Sequence, residues 1–344
     1  MFVVRPIQYN DFEALLKIAD ESGHGFTSLP VNEELLKNKI LKAQSSFTSS
    51  NETNKQGSYL MVLENTTTGE VVGTCGIEAA VGMEDAFYHY RLGMEVYYSE
   101  QIKVRNEMQT LTLCHDYTGA AELCSLFLRR KFRHGNNGRL LSRSRFMLLA
   151  EHPNRFGDTI IAEMRGVSDE QGQSPFYDWL QEHFLGIDFV RADYLSGVGR
   201  KSFMGEMMPR HPIYVSFLPK TAQQVIGQVH DCTKPALSLL ESEGFRCRGY
   251  VDIFDGGPTI ECYSQDIKSV KESQRLTVRI EKSANRPSKN EKLKTYLISN
   301  TKIDSFRALA CELTITDASE VLLSQEVASA LLVNDGDKIR ILAI

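Results

Sequence analysis

The segment from Ala121 to Ala150 contains the residues whose types and spacing best fit a chemical role. A short apolar run, AELCSLFL, leads through a basic loop rich in Gly and Asn into an amphipathic helix, LLSRSRFMLLA. A loop that opens a helix directs free backbone N–H groups and the positive end of the helix dipole to one point. Gly135 and Gly138 allow a close backbone approach, and Asn136 tolerates left-handed backbone angles. Together with the charge of Arg133 and its basic neighbours, this spacing predicts an anion site, although an ordinary surface loop has a similar composition.

His230 is the first candidate for a general acid or base. His230 ends the apolar run VIGQV directly before DCTKPA, the start of a predicted helix, where a side chain can face a cleft. Its imidazole titrates near neutral pH, as a general acid or base requires. A lone histidine is more often a surface or structural residue, and His211 in MPRHPIY is a rival whose following Pro212 indicates a fixed turn. Glu163 and Glu78 are further candidate bases, or members of ion pairs.

Composition limits the function classes. The chain has 344 residues, 42% of them hydrophobic, and a formal net charge of −5, which is typical of a globular protein and does not suggest a nucleic-acid partner. No apolar run reaches the roughly 18 residues of a membrane span, and the N-terminus MFVVRPIQYNDF lacks the apolar stretch of a signal peptide. We therefore expect a soluble, cytoplasmic protein without a membrane partner. The seven cysteines lack C-x-x-C spacing and the eight histidines are scattered, which predicts reduced thiols, no metal site and no permanently bound cofactor.

The apolar patterns predict a mixed α/β chain. Strands are expected in FVV, SYLMVLE, EVVGTCGIEA, YHYRLGMEVYYS, MQTLTLCH and AELCSLFL, which favour a mostly antiparallel sheet. Helices are expected at residues 32–43, in SPFYDWLQEHF with Pro175 at the first position, and in TKPALSLLESEGF. The charged stretch KSVKESQR marks a change in composition, and short alternating runs follow it. We therefore expect two domains, one at residues 1–270 and a small β-barrel at residues 271–344.

Several of these stretches resemble known acyltransferases. The strand, the R-x-x-x-x-G loop of Arg133 to Gly138 and the helix after it resemble the acyl-CoA pyrophosphate site of the GNAT superfamily, whose usual pattern has Gly where Asn136 stands. A wider resemblance, over most of the chain, is to the arginine N-succinyltransferase family. It is carried by CGIEAAVG, AELCSLFL, LLSRSRFM, MPRHPIY, VIGQVH and YVDIFDGGPTIEC.

This resemblance implies a fold, a reaction and a set of residues. The implied fold is GNAT-like, with a mixed, mostly antiparallel sheet flanked by helices and enlarged beyond the usual domain. The implied reaction transfers a succinyl group from succinyl-CoA to the α-amino group of L-arginine, with His230 as the proton donor. The implied succinyl-CoA contacts are Leu126, through its main chain, and the loop residues Arg133, Gly135, Asn136 and Gly138.

A pocket for arginine needs an acidic end for the guanidinium and a basic end for the carboxylate. The candidate acids could meet the guanidinium, the arginines could meet the carboxylate of arginine or of the succinyl group, and the histidine could orient the substrate. Each is also typical of a structural ion pair. The candidates are Glu78, Glu163, Asp255, Arg91, Arg165 and His211.

Two alternatives stay open at this point. The same fold could transfer another acyl group or act on ornithine, or it could be a non-catalytic sensor of acyl-CoA or of an amino acid. The expected partners are the small molecules L-arginine and succinyl-CoA. The expected assembly is a homodimer or an oligomer with a related subunit.

Overall fold

The computed structural model describes residues 1–23, 28–53, 55–169, 172–197, 202–281, 294–313, 315–317 and 319–344. In this part of the chain sixteen strands form one sheet. They are β1 (Phe2–Pro6), β2 (Ser58–Asn65), β3 (Glu70–Glu78), β4 (His89–Ser99), β5 (Val104–Cys114), β6 (Ala121–Leu128), β7 (Thr159–Glu163), β8 (Ile213–Tyr214), β9 (Arg246–Val251), β10 (Pro258–Tyr263), β11 (Gln274–Ile280), β12 (Lys294–Asn300), β13 (Ala308–Leu313), β14 (Ile315–Asp317), β15 (Glu320–Leu323) and β16 (Lys338–Ala343).

The order across the sheet is β14-β15-β11-β16-β12-β13-β1-β2-β3-β6-β7-β10-β9-β4-β5-β8. The neighbouring pairs are antiparallel except β11 with β15 and β6 with β7. The predicted fold class, a mixed and mostly antiparallel sheet flanked by helices, is therefore confirmed. The parallel pair β6–β7 lies near the middle of the sheet, whereas the other parallel pair, β11–β15, lies close to one edge.

Ten α-helices flank the sheet in the described ranges. They are α1 (Phe12–Ser22), α2 (Glu33–Thr48), α3 (Asn137–Glu151), α4 (Pro175–Leu180), α5 (Phe189–Gly197), α6 (Ser202–Met207), α7 (Lys220–Val225), α8 (Lys234–Ser242), α9 (Lys268–Glu272) and α10 (Gln325–Leu331). None of them is long and apolar enough to cross a membrane.

Local sequence explains where several helices begin. In α4 Pro175 takes the first position, where its missing N–H costs nothing because that group has no partner within the helix. In α2 the Asn32 side chain accepts a hydrogen bond from the N–H of Leu35 and so caps the helix. That helix extends five residues beyond the predicted end at Ala43, because Phe47 continues its buried face and Ser46 turns its hydroxyl back to a helix carbonyl.

Helix α3 is the central helix of the molecule. It packs against β3, β6 and β1, and it buries most of its length, including Leu141 and Leu148. Its last residue, Glu151, is 5% exposed at the side chain and forms ion pairs with Arg340 of β16 at 2.9 Å and with Arg275 of β11 at 2.8 Å. The helix therefore connects the middle of the sheet to its C-terminal strands.

Strands β11 to β16 surround an apolar core of their own, to which Val3 of β1 also contributes. Their ladder runs from β14 to β13, and β13 then pairs with β1, so these strands extend the main sheet. No strand pair within the described residues joins β13 to β14 to close the expected barrel. The boundary between residues 270 and 271 stays a prediction.

Candidate active site

A gap between β6 and β7 forms the centre of the candidate site. The two strands pair only at Ala121 with Ile160 and at Glu122 with Ile161, and then they separate. A cavity of about 1240 Å³ opens where they part. Its walls include β6 from Glu122 to Leu128 on one side and residues Ala162 to Arg165 on the other. Two diverging parallel strands leave backbone groups without a ladder partner, so an extended chain of amides can bind there like a further strand.

A β-bulge in β6 faces the single residue Cys75 of β3. Gly76 pairs with Cys124 and Thr74 pairs with Phe127, so Ser125 and Leu126 together stand opposite Cys75. Ser125 has a φ of 53°, which is unusual for a residue other than glycine. Two residues opposite one cannot both join the ladder, and a bulge therefore redirects backbone N–H groups. Leu126 lines the cavity at this point.

The Gly/Asn loop lies at the cavity and opens α3 as the sequence predicted. Gly135 has a φ of 57°, and a Cβ added to Gly135 or Gly138 would meet no atom within 4 Å. In the described residues no hydrogen bond engages the backbone N–H groups of Gly135, Asn136 or Gly138. The N-terminus of a 15-residue helix thus points unpaired donors into open space, which is the geometry of a phosphate site.

The basic residues of this loop differ in availability. Arg133 donates from Nε to the carbonyl of Leu128 at 2.7 Å and its guanidinium lies over the Phe127 ring. It lines the cavity and is exposed, so the rest of the guanidinium is available. Arg129 instead forms ion pairs with Glu21 and Glu70, both at 2.8 Å. Its charge is therefore already balanced.

His230 lies beside the cavity and is not one of the residues that line it in the described part of the chain. Its backbone N–H donates to the carbonyl of Arg165 at 2.9 Å, and Cys232, two residues later, lines the cavity, as does Arg165. The Nδ1 atom of His230 accepts a hydrogen bond from the N–H of Cys232 at 3.2 Å. In the neutral ring the proton is then on Nε2, a donor. Burial and the charge of Arg165 lower the pKa of His230, so the neutral ring is favoured near pH 7.

Carboxylates and cations share the cavity wall. Glu78 accepts a hydrogen bond from Ser58 at 2.7 Å and lines the cavity together with Glu163 and Arg165. Arg165 donates to the hydroxyl of Ser168 at 3.0 Å. The cavity therefore offers acidic groups to a guanidinium and a guanidinium to a carboxylate.

A buried histidine, His89, lies close to Glu163. The ring of His89 is fully buried, lies edge-on to Phe87 and Tyr117, and has Nδ1 4.0 Å from Oε1 of Glu163. Within the described residues neither ring nitrogen has a hydrogen-bond partner. Burial lowers the pKa of His89 to about 4, so this ring is neutral at physiological pH.

Besides His230, four predicted site residues do not line the cavity within the described residues. Arg91 is exposed and lies over the ring of Tyr250, and His211 is also exposed. Asn136 is the N-cap residue of α3, with its side chain directed to Arg139 at 3.5 Å.

The fourth residue, Asp255, is buried and accepts hydrogen bonds from the N–H groups of Gly166 at 2.6 Å and Gly257 at 2.8 Å. Burial and the neighbouring Asp252 raise the pKa of Asp255 well above its ordinary range. Both carboxylate oxygens are thus occupied by the backbone.

Other cavity residues were not singled out from the sequence. Lys39, Lys42 and Glu122 give no signal beyond ordinary surface composition. Arg145 does give one, because it falls on the buried face of α3 between Leu141 and Leu148, where the spacing calls for an apolar residue.

The cysteines offer no alternative chemistry. All seven are free, and desolvation raises the pKa of Cys124, which lines the cavity, to about 12. A thiolate nucleophile at this position is therefore disfavoured. No group of three His, Cys, Asp or Glu side chains suited to a metal ion occurs in the described part of the chain.

Comparison with known proteins gives consistent matches. The family model described as "Arginine N-succinyltransferase beta subunit" matches residues 2–269, and that of its C-terminal domain matches residues 274–343. The chain is 44% identical to an arginine N-succinyltransferase of Enterobacter sp. (strain 638) and 42% identical to one of Escherichia coli (strain 55989 / EAEC), in each case over 100% of this chain and 98% of the relative. Among solved structures it is similar to arginine/ornithine succinyltransferase subunit AI from Pseudomonas aeruginosa, with a TM-score of 0.90, 36% identity, and coverage of 100% of this chain and 98% of that one.

Proposed function

This chain belongs to the arginine N-succinyltransferase family, and we propose that it transfers the succinyl group of succinyl-CoA to the α-amino group of L-arginine, forming N2-succinyl-L-arginine and CoA. One observation carries the proposal: the gap between β6 and β7 and the unpaired N–H groups at the start of α3 border the same cavity. A nucleotide thiol with a long amide arm needs both features. The phosphates bind at the loop and the arm lies in the gap.

The acyl donor is oriented by main chain more than by side chains. Gly135, Gly138 and the exposed guanidinium of Arg133 hold the pyrophosphate. The thioester carbonyl lies at the bulge, where an N–H of Ser125 or Leu126 stabilises the oxyanion of the tetrahedral intermediate. One such donor is worth about 3 kcal/mol of transition-state stabilisation.

The reaction exchanges one bond for another. The free α-amino nitrogen attacks the thioester carbon, the C–N bond forms, and the C–S bond then breaks. The nitrogen loses a proton and the sulfur gains one. His230 serves the sulfur: its Nε2–H donates a hydrogen bond to the departing thiolate and stabilises it, and the thiolate takes up, through solvent, the proton that the nitrogen released. Glu163 and Glu78 are the candidate acceptors of the ammonium proton.

The acceptor amino acid lies on the other side of the bulge. The acidic wall that includes Glu78 and Glu163 fits a guanidinium, and it also fits the side-chain ammonium of ornithine. The name of the relative from Pseudomonas aeruginosa includes both amino acids. We propose arginine as the main substrate and ornithine as the second candidate, since the wall offers several carboxylates and the five donors of a guanidinium use more acceptors.

The remaining expectations accompany this proposal. The chain needs no resident cofactor, since succinyl-CoA is a co-substrate, and its free thiols agree with a reducing, cytoplasmic location. The relative from Pseudomonas aeruginosa is named as a subunit, which supports a homodimer or an assembly with a related chain.

A thiol-release assay tests the function. Purified protein is mixed with succinyl-CoA and either arginine or ornithine, free CoA is measured with a thiol reagent, and the product is identified by mass. We expect release that depends on arginine. Hydrolysis without acceptor, or release with acetyl-CoA but not with succinyl-CoA, would contradict the proposal.

His230 has a matched pair of variants. Asparagine places an oxygen near the position of Nδ1 and can keep the hydrogen bond from Cys232, whereas alanine cannot. We expect His230→Asn and His230→Ala both to lower kcat by about 10²–10⁴-fold with little change in either KM. A His230→Asn protein with near-normal kcat would remove the histidine from the mechanism.

A further inference from the structure

Arg145 is a deeply buried cation without a carboxylate partner. It lies in the middle of α3 with 1% of its surface exposed. Its Nε donates to the carbonyl of Ser142 and its Nη2 to the hydroxyl of Ser142, both at 3.1 Å. Within the described residues no carboxylate forms an ion pair with it. A guanidinium stays charged in a protein, so this positive charge lacks compensation.

Other buried arginines of the molecule are better satisfied. Arg340, with 10% of its side chain exposed, pairs with Glu151 at 2.9 Å. Arg155 donates to the carbonyls of Ser49 and Asn51. Among the described residues Arg145 has one acceptor residue, Ser142, and Arg145 itself lines the cavity. An unpaired buried charge is costly and is retained where a ligand completes it.

The position of Arg145 relates it to the acyl group. The hydroxyl of the preceding residue, Ser144, lies 3.9 Å from the sulfur of Cys75, and Cys75 is the residue that stands opposite the bulge. Cys124, the last paired residue of β6 before the bulge, lines the same cavity as Arg145. Arg145 and the bulge residues Ser125 and Leu126 therefore line the same cavity, so an acyl group held at the bulge can extend towards the guanidinium.

We propose that Arg145 binds the distal carboxylate of the succinyl group and thereby selects a dicarboxylic acyl donor. This inference rests on the proposed function, because it assigns an end of the same substrate. A planar guanidinium with free donors matches a carboxylate in a two-point hydrogen-bonded pair, and the pair cancels both buried charges. An uncharged acyl chain would leave the guanidinium unpaired, so the site rejects it.

The test compares two donors of the same chain length. Butyryl-CoA has a methyl group where succinyl-CoA has its carboxylate. We measure kcat/KM for both with the intact protein and with Arg145→Met and Arg145→Lys, and we measure binding of both thioesters by calorimetry, which does not require turnover. The intact protein should prefer succinyl-CoA. Arg145→Met should lose about 10–100-fold with succinyl-CoA and little with butyryl-CoA.

The possible outcomes distinguish a failure of the role of Arg145 from a failure of the proposed succinyl transfer. An equal loss with both donors would mean that Arg145 holds the amide arm or only packs, and no loss would likewise overturn the inference. If the intact protein neither binds nor uses succinyl-CoA, the proposed function fails as well. Arg165→Met is the matched control, expected to change the KM of arginine equally with either donor. If Arg145→Met does not fold, Arg145→Lys keeps the charge but loses the fork, and it should still lower the preference for succinyl-CoA.

Discussion

Replacing His89 tests how burial of an uncharged imidazole links the stability of this fold to pH. The ring is fully buried at the start of β4, edge-on to Phe87 and Tyr117, and no residue in the described part of the chain hydrogen-bonds to either nitrogen. Glu163 approaches to 4.0 Å, which is beyond hydrogen-bond distance. Burial therefore dominates and lowers the pKa of His89 to about 4, from an ordinary value of about 6.5.

The sign and size of the effect follow from these two values. The folded protein binds this proton less readily than the unfolded chain, so the contribution of His89 to stability is fully present above about pH 6.5 and is lost as the pH falls towards 4. Each pH unit in this window is worth about 1.4 kcal/mol. Acidification from pH 7 to pH 4 should therefore remove about 3 kcal/mol of unfolding free energy through this one residue.

The assay is urea unfolding at pH 7, 5.5 and 4 for the intact protein, His89→Leu and His89→Phe. Neither leucine nor phenylalanine titrates. Between pH 7 and pH 4 the unfolding free energy of both variants should therefore fall by about 3 kcal/mol less than that of the intact protein. Phe87→Leu is the control: it disturbs the same cluster without a titrating group, so its deficit should be the same at every pH. Parallel loss of stability in His89→Leu and the intact protein would refute the reasoning.

Three further predictions concern separate parts of the molecule. Arg133→Ala should raise the KM for succinyl-CoA about 10–100-fold and leave that for arginine nearly unchanged, as steady-state kinetics would show, and an equal rise in both would count against a phosphate contact. Gly257→Ala would place a Cβ 2.1 Å from the carbonyl oxygen of Met164 and should lower the unfolding free energy by about 3 kcal/mol or more, whereas Gly138→Ala, with no atom within 4 Å, should change it by less than about 0.5 kcal/mol in the same urea experiment. Glu151→Gln leaves Arg340 buried without its partner and should cost about 3 kcal/mol, most of which the double variant with Arg340→Met should restore in thermal unfolding.

Local chemistry made much of the fold predictable. Gly135 and the basic Gly/Asn run indicated the start of α3, and Pro175 indicated the start of α4, because both signals act within a few residues of the chain. The end of α2 was misjudged because the polar run after Ala43 resembles a loop. The helix continues there only because Phe47 finds a place in the core with Tyr59, a contact between distant segments.

The site was less predictable than the fold. The bulge at Ser125 depends on the register between β6 and β3, and a register is set by whole strands and not by the residue that bulges. Arg145 was visible in the sequence as a charge on an apolar helix face, yet a side chain at such a position can also reach solvent along its stem. Only the packing of α3 against β3 shows that it does not.

Asp255 shows how a residue can matter to the site without touching the cavity. Its carboxylate holds the N–H of Gly166, whose neighbour Arg165 lines the cavity and accepts the backbone N–H of His230. Gly166 also pairs with Val229, directly before that histidine. The buried side chain of Asp255 therefore holds the short β-bridge between Gly166 and Val229, and this bridge places Arg165 next to His230. Burial and the closeness of Arg165 keep the pKa of His230 low and leave the ring a neutral hydrogen-bond donor beside the cavity. The chemistry proposed for His230 therefore depends on an anchor in the connection between β9 and β10.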